Sequence, residues 1–252
     1  MEIILEVKDL CKRYPSFSLN NLSFKLFENT ITGFIGVNGS GKTTTIKTIL
    51  GLIRKDAGDI KIFGKEFAEN EKEIKNRIGF VFDEGYFYDH LTIKQMKSVI
   101  APAYSNWSEM DFKGYLDRFH LDPKQKISTL SKGMRVKYAL CIALSHQADL
   151  LILDEPSSGL DPLVRSEIHK LLLEFVSQKG KSVFFSTHII SDIENTADAI
   201  LFINKGSIIL DCNKNELLSM HKVANENELI RDPRGSSATL EEIVLAYLKE
   251  GN

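Results

Sequence analysis

Ile31-Thr32-Gly33-Phe34-Ile35-Gly36-Val37-Asn38-Gly39-Ser40-Gly41-Lys42-Thr43-Thr44 decides the reading of this chain. The stretch opens on an apolar run suited to a buried strand. It passes through a loop carrying Gly36, Gly39 and Gly41, and leads into a helical pattern over Ile46 to Leu50. Residues 36–43 fit G-x-x-x-x-G-K-[ST] in the strand, loop and helix setting that this pattern needs. Glycines let the backbone curl so that several N–H groups point inward at phosphate oxygens. The helix N-terminus adds a partial positive charge. Lys42 is long enough to reach β- and γ-phosphates, and the Thr43 hydroxyl suits Mg²⁺.

A second segment completes the chemistry. Leu150-Leu151-Ile152-Leu153-Asp154-Glu155 reads as a buried strand ending in two carboxylates, where open α/β sheets place their ligands. Asp154 is placed to hold Mg²⁺ directly or through water. Glu155 is placed to accept a proton from a water that displaces the γ-phosphate. These two motifs indicate a nucleoside-triphosphate hydrolase or kinase without choosing between them.

Composition bounds the rest. With 252 residues and 43% hydrophobic content, the chain can bury the core of one large domain, or of one domain with a smaller lobe, and disorder is excluded. The 32 basic and 34 acidic residues leave a net charge of −2, which does not fit an autonomous nucleic-acid binder. No stretch approaches the roughly 20 apolar residues that cross a bilayer. The opening MEIILEVKDLCKRYP mixes charges at once and lacks a small-residue cleavage site, unlike a secretory signal. Cys11, Cys141 and Cys212 are odd in number and far apart, and are expected to be reduced thiols of a cytoplasmic protein.

Further short apolar runs lie at 78–82, 182–186 and 199–203, with helical patterns between several strand runs. Strands apolar on both faces suit a sheet covered by helices, so an α/β fold with a mostly parallel sheet is expected. The first 30 residues alternate with period two and predict flanking antiparallel strands. Residues 85–140 look helical. Thr92 with Gln95 forms a capping box, and Ser108 with Asp111 opens a helix carrying Phe112, Tyr115, Leu116 and Phe119. Thr239 with Glu242 caps a last short helix after a charged connection over 224–237. His90, His120, His146 and His169 receive no role, and Trp107 is expected to pack in the helical lobe.

Four more segments narrow the class: Tyr14 before the phosphate loop, Leu130-Ser131-Lys132-Gly133-Met134, Ser158-Gly159-Leu160-Asp161-Pro162, and Ser186-Thr187-His188. Their order and spacing, with the two motifs above, resemble the ATP-binding cassette (ABC) ATPase family along nearly the whole chain. The resemblance implies a P-loop NTPase (RecA-like) core, an N-terminal antiparallel β subdomain and an inserted α-helical subdomain at about 85–140. The cassette would span 1–223, with a short helical tail at 224–252.

The resemblance also implies roles. Tyr14 matches the aromatic that stacks on adenine. Asn38, Gly39, Ser40, Gly41, Lys42, Thr43 and Thr44 match the phosphate cradle. Asp154 matches the metal-associated aspartate, Glu155 the catalytic glutamate, and His188 the histidine that contacts the γ-phosphate; Thr43 is another candidate for Mg²⁺. Ser131 and Gly133 match the groups that bind ATP held by an opposite subunit, and Asp161 a loop that communicates across that dimer. A serine opening a helix supplies a hydroxyl, N–H groups and the helix dipole for such binding.

The chain departs from the pattern in two places. Asp83 stands where the family usually has glutamine, so it becomes a candidate for Mg²⁺ or water. Asp83 to Tyr88 would be the segment that meets a membrane subunit. In the signature, Lys132 replaces a glycine and Met134 a glutamine, which removes the capping-box partner of Ser131. The implied function is an ATP-hydrolysing transport subunit, exporting by ATP-driven dimerisation, as a homodimer or heterodimer. A separate transmembrane permease would be its partner, at the inner face of the cell membrane, with ATP and Mg²⁺ bound and no nucleic acid. The alternatives are a non-transport member acting in translation, repair or cluster assembly, and a small-molecule kinase.

Overall fold

The computed structural model describes residues 2–82, 87–220, 222–223, 229–230 and 236–250. The chain begins with β1 (Ile3–Tyr14), β2 (Phe17–Phe27) and β3 (Ile31–Ile35), then α1 (Lys42–Ile49), β4 (Ala57–Ile62), β5 (Lys65–Glu66), α2 (Phe67–Asn76) and β6 (Ile78–Val81). The helices α3 (Ile93–Ile100), α4 (Glu109–Arg118) and α5 (Lys132–Ser145) follow. The chain continues through β7 (Leu150–Asp154), α6 (Pro162–Val176), β8 (Ser182–Thr187), α7 (Ile190–Thr196), β9 (Ala199–Asn204), β10 (Ser207–Asn213) and α8 (Lys214–Met220). The short strands β11 (Lys222–Val223), β12 (Leu229–Ile230) and β13 (Ser236–Ser237) precede α9 (Leu240–Glu250).

Among the described residues, the central sheet runs β10-β9-β3-β8-β7-β6, parallel throughout except for β10. A second, antiparallel sheet runs β2-β1-β4-β5. The expected strands at 31–36, 78–82, 150–153, 182–186 and 199–203 all lie in the central sheet. β4 joins the antiparallel layer, its buried Ile60 and Ile62 alternating with exposed Asp59 and half-buried Lys61.

Period two sorts the central strands between two cores. Ile35, Leu151, Leu153, Val183, Phe185 and Phe202 face the side covered by α5, α6 and α9. Phe34, Ile152, Phe184, Leu201 and Ile203 face the antiparallel sheet and α1. Phe34 stacks on Phe184 with ring centroids 5.2 Å apart, and Phe24 of β2 lies 6.4 Å from Phe34. A stripe apolar on both faces is therefore the consequence of a sheet buried on both sides.

The helical caps form as the sequence suggests. Thr92 and Gln95 make a reciprocal capping box, and the Ser108 hydroxyl accepts from the Asp111 N–H. α5 continues to Ser145, so the expected edge of the helical segment at 140 falls inside a single buried helix. The charged connection at 224–237 lies mostly outside the described residues.

Strand order positions the site. β8 lies beside both β3 and β7, with Ile35 opposite Thr187 and Asp154 opposite Ser186. The C-terminal ends of β3, β7 and β8 thus bring Gly36, Asp154, Glu155 and His188 together, although 151 residues of chain lie between the first and the last. The β9–β10 turn braces them. The Gly206 N–H donates to the Ser40 carbonyl at 3.0 Å, while the Asn20 N–H of β2 donates to the Gly206 carbonyl at 2.8 Å. A Cβ at Gly206 would overlap the Ser18 carbonyl oxygen, so only glycine lets the two layers close here.

Candidate functional site

The glycine-rich loop wraps the open N-terminus of α1. Gly41 has φ +115° and supplies no side-chain cap. A Cβ there would lie 2.7 Å from Leu19 Cδ2 and 2.8 Å from the Phe17 ring, so glycine is needed for both backbone and space. The first N–H groups of α1 meet no acidic side chain within the helix's first turn. Such an end is an anion site. Lys42 is only 6% exposed and folds back over the loop. Its Nζ donates to the Gly36 carbonyl at 2.7 Å and lies 3.2 Å from Glu155 Oε1.

Asp154 and Glu155 differ in environment. Asp154 is buried and accepts hydrogen bonds from Ser186 Oγ at 2.6 Å and from Thr43. Burial pushes its carboxyl above the usual range, and those hydrogen bonds only partly oppose this. Glu155 adopts φ +52°, left-handed for a non-glycine residue. Its N–H is held by the Ser186 carbonyl at 3.2 Å and by Ser186 Oγ at 3.0 Å. Its carboxylate sits between Lys42 and His188, whose Nδ1 is 2.7 Å from Oε2.

One cleft joins Asn38, Gly39, Gly41, Lys42, Thr43 and Thr44 to Glu155, Ser158 and His188. Ser40 is buried beneath the loop rather than lining it. Ser158 and Ser186 belong to segments singled out in the sequence, yet their individual roles appear only in three dimensions. Ser158 lines the cleft and Ser186 orients both carboxylate residues.

Tyr14, Ser131, Gly133 and Asp161 lie outside this cleft. Tyr14 ends β1 opposite Phe17, half exposed, with Lys12 Nζ 5.4 Å from its ring centre. Ser131 caps α5 by accepting from the Met134 N–H at 3.3 Å. Asp161 caps α6 by accepting from the Leu163 and Val164 N–H groups, each at 3.0 Å. The two helix starts are packed together. A Cβ at Gly133 would lie 3.3 Å from Val164, and Lys137 pairs with Glu167 at 2.5 Å. Asp83 lies outside the described residues. Of the segment Asp83 to Tyr88, Phe87 packs 4.8 Å from Tyr138 and Tyr88 is exposed. All three cysteines are free, and Trp107 packs 5.4 Å from Phe112.

Comparison with known proteins gives the family and the fold. The family model described as ABC transporter matches residues 19–158. The Bacitracin transport ATP-binding protein BcrA of Bacillus licheniformis is 35% identical over 212 residues, covering 83% of this chain and 69% of that protein. The ABC-type transporter ATP-binding protein EcsA of Bacillus subtilis is 33% identical over 211 residues, covering 81% and 85%. A solved ATP-binding subunit of an ABC transporter superposes with a TM-score of 0.83 at 26% identity, covering 97% of this chain and 99% of that one. The family match over residues 19–158, the sequence likeness to ATP-binding subunits and the shared fold together show that the chain belongs to the ABC transporter family as an ATP-binding, ATP-hydrolysing subunit.

Proposed function

We propose that this subunit drives export through a separate transmembrane permease, by ATP-dependent closure of a homodimer or heterodimer of cassettes at the inner face of the cell membrane. The observation that carries the reading is the Glu155 carboxylate held between Lys42 and His188 at the mouth of the phosphate loop. Among the described residues no helix is long and apolar enough to cross a membrane. A transport role is supported by the likeness to proteins named for bacitracin transport. Residues 1–223 form the cassette in this reading, with the helical subdomain at about 85–140 and the tail at 224–252.

In this reading the loop N–H groups and the α1 N-terminus hold the β- and γ-phosphates, and Tyr14 stacks on adenine. Thr43 and Asp154 offer a hydroxyl and a carboxylate in contact, an oxygen pair that suits Mg²⁺. Asp83 is a further candidate for the same ion. Bound there, Mg²⁺ would supply positive charge against the phosphate oxygens. Lys42 turns from Glu155 to the γ-phosphate as ATP enters, which frees the carboxylate. Glu155 then takes a proton from the attacking water. The oxygen of that water bonds to the γ-phosphorus as the bond to the bridging oxygen breaks and ADP departs. His188 holds Glu155 in line and contacts the γ-phosphate. Ser131, Gly133 and Asp161 face the ATP of the opposing cassette, which explains why they lie outside the cleft of their own chain.

Glu155→Gln tests the mechanism. It should keep ATP affinity within about twofold, lower turnover by about 10²-fold or more, and accumulate an ATP-bound dimer in light scattering. Normal turnover would sink the assignment of Glu155 as base. Affinity purification from membranes should recover a multi-span protein with this chain, and ATP-dependent uptake into inside-out vesicles reads the direction of transport.

A further inference from the structure

Behind the Glu155–His188 pair lies a carboxylate that the mechanism does not use. Asp192, in the first turn of α7, is fully buried. Its Oδ2 accepts from the Ser157 hydroxyl and from Thr187 Oγ1 at 3.3 Å. Its Oδ1 faces two groups of α6, His169 Nε2 at 3.2 Å and Arg165 Nε at 3.8 Å. Burial alone would push this carboxyl up, yet His169, Ser157 and Arg165 together hold it below the usual carboxylate range. An ionised carboxylate without such partners would be costly inside a protein.

Position gives the cluster its meaning. Ser157 lies two residues after Glu155, and Thr187 immediately precedes His188. Both hydroxyls bond the same oxygen, so one acceptor fixes the distance between the two segments. Arg165 and His169 lie on α6, whose first turn is capped by Asp161.

We propose that Asp192 is a positioning residue for hydrolysis: it locks the Glu155 segment to the His188 segment and ties both to α6. Asp192 touches neither Glu155 nor His188, and acts on them through Ser157 and Thr187. His169 and Arg165 make the lock sensitive to any shift of α6, so a movement at Asp161 reaches the catalytic pair through a buried charge. The inference rests on the roles given to Glu155 and His188 above.

The test compares Ser157→Ala, Thr187→Val, Thr187→Ser and Asp192→Asn with the parent in ATP turnover. A misplacement of about 1 Å costs up to about 10²-fold in rate, so Ser157→Ala and Thr187→Val should lower kcat about tenfold. The KM for ATP should stay within about twofold in both, because the phosphate cradle is untouched. Thr187→Ser keeps the hydroxyl and should restore kcat. Asp192→Asn combined with Ser157→Ala should cost no more than Asp192→Asn alone, since both break one link. If Asp192→Asn fails to fold, Ser157→Ala and the Thr187 pair carry the test. A kcat within about twofold of the parent in both Ser157→Ala and Thr187→Val would overturn the proposal, as would equal losses in Thr187→Ser and Thr187→Val. Glu155→Gln run in parallel separates the two readings. Normal turnover there removes the base assignment, whereas silent Ser157 and Thr187 variants beside a dead Glu155→Gln remove only the lock.

Discussion

Glu155 is held at φ +52°, a backbone region that costs a non-glycine residue on the order of 1–3 kcal/mol. Two hydrogen bonds from its N–H to Ser186 offset part of that cost, so the strain is maintained by the neighbouring strand. His146 shows the opposite use of burial. It stacks on Tyr104 with ring centres 3.9 Å apart, and burial lowers its pKa from the ordinary 6.5 to about 4. Between those values the unfolded chain binds a proton that the folded chain refuses. Stability is therefore full above about pH 6.5 and falls as the pH drops toward 4, by about 3 kcal/mol from this group. Urea unfolding at pH 7, 5.5 and 4.5 should show a steeper loss for the parent than for His146→Leu. Parallel curves would refute the assignment.

Among the elements, helix starts separate what is local from what is not. The capping boxes at Thr92–Gln95 and Thr239–Glu242 are written into four consecutive residues each, and both form. At Ser131 the reciprocal partner is missing because Met134 offers no acceptor, and only half of the box forms. Asp161 was legible as a member of a motif but not as a cap. Its two hydrogen bonds set the start of α6. Asp161→Ala should cost about 1 kcal/mol in chemical denaturation, and Asp161→Asn should recover most of it because it keeps the acceptor oxygen. Equal stability of the two variants would exclude a capping role.

For the whole molecule, the decisive contact is between layers. Phe34 is fully buried where β3 meets Phe24 of the antiparallel sheet and Phe184 of β8. Truncation there leaves a cavity shared by both sheets. Phe34→Ala should destabilise by about 3–5 kcal/mol and still unfold in one transition, followed by circular dichroism in urea. Two separated transitions would show that the antiparallel sheet folds independently of the central one.

The phosphate loop, the paired carboxylates and the central strands are legible in the chain alone, because glycine placement, apolar runs and strand-end charges act within a few residues. So are the departures at Asp83, Lys132 and Met134. The tertiary structure decided the order β10-β9-β3-β8-β7-β6, and with it the meeting of Lys42, Glu155 and His188. It also brought Ser157, Thr187, His169 and Arg165 around Asp192, where His169 had carried no signal as a lone histidine. Local patterning selects an element and its buried face. Which distant groups share one buried carboxylate depends on how the strands are ordered and the helices packed, and no periodicity along the chain encodes that.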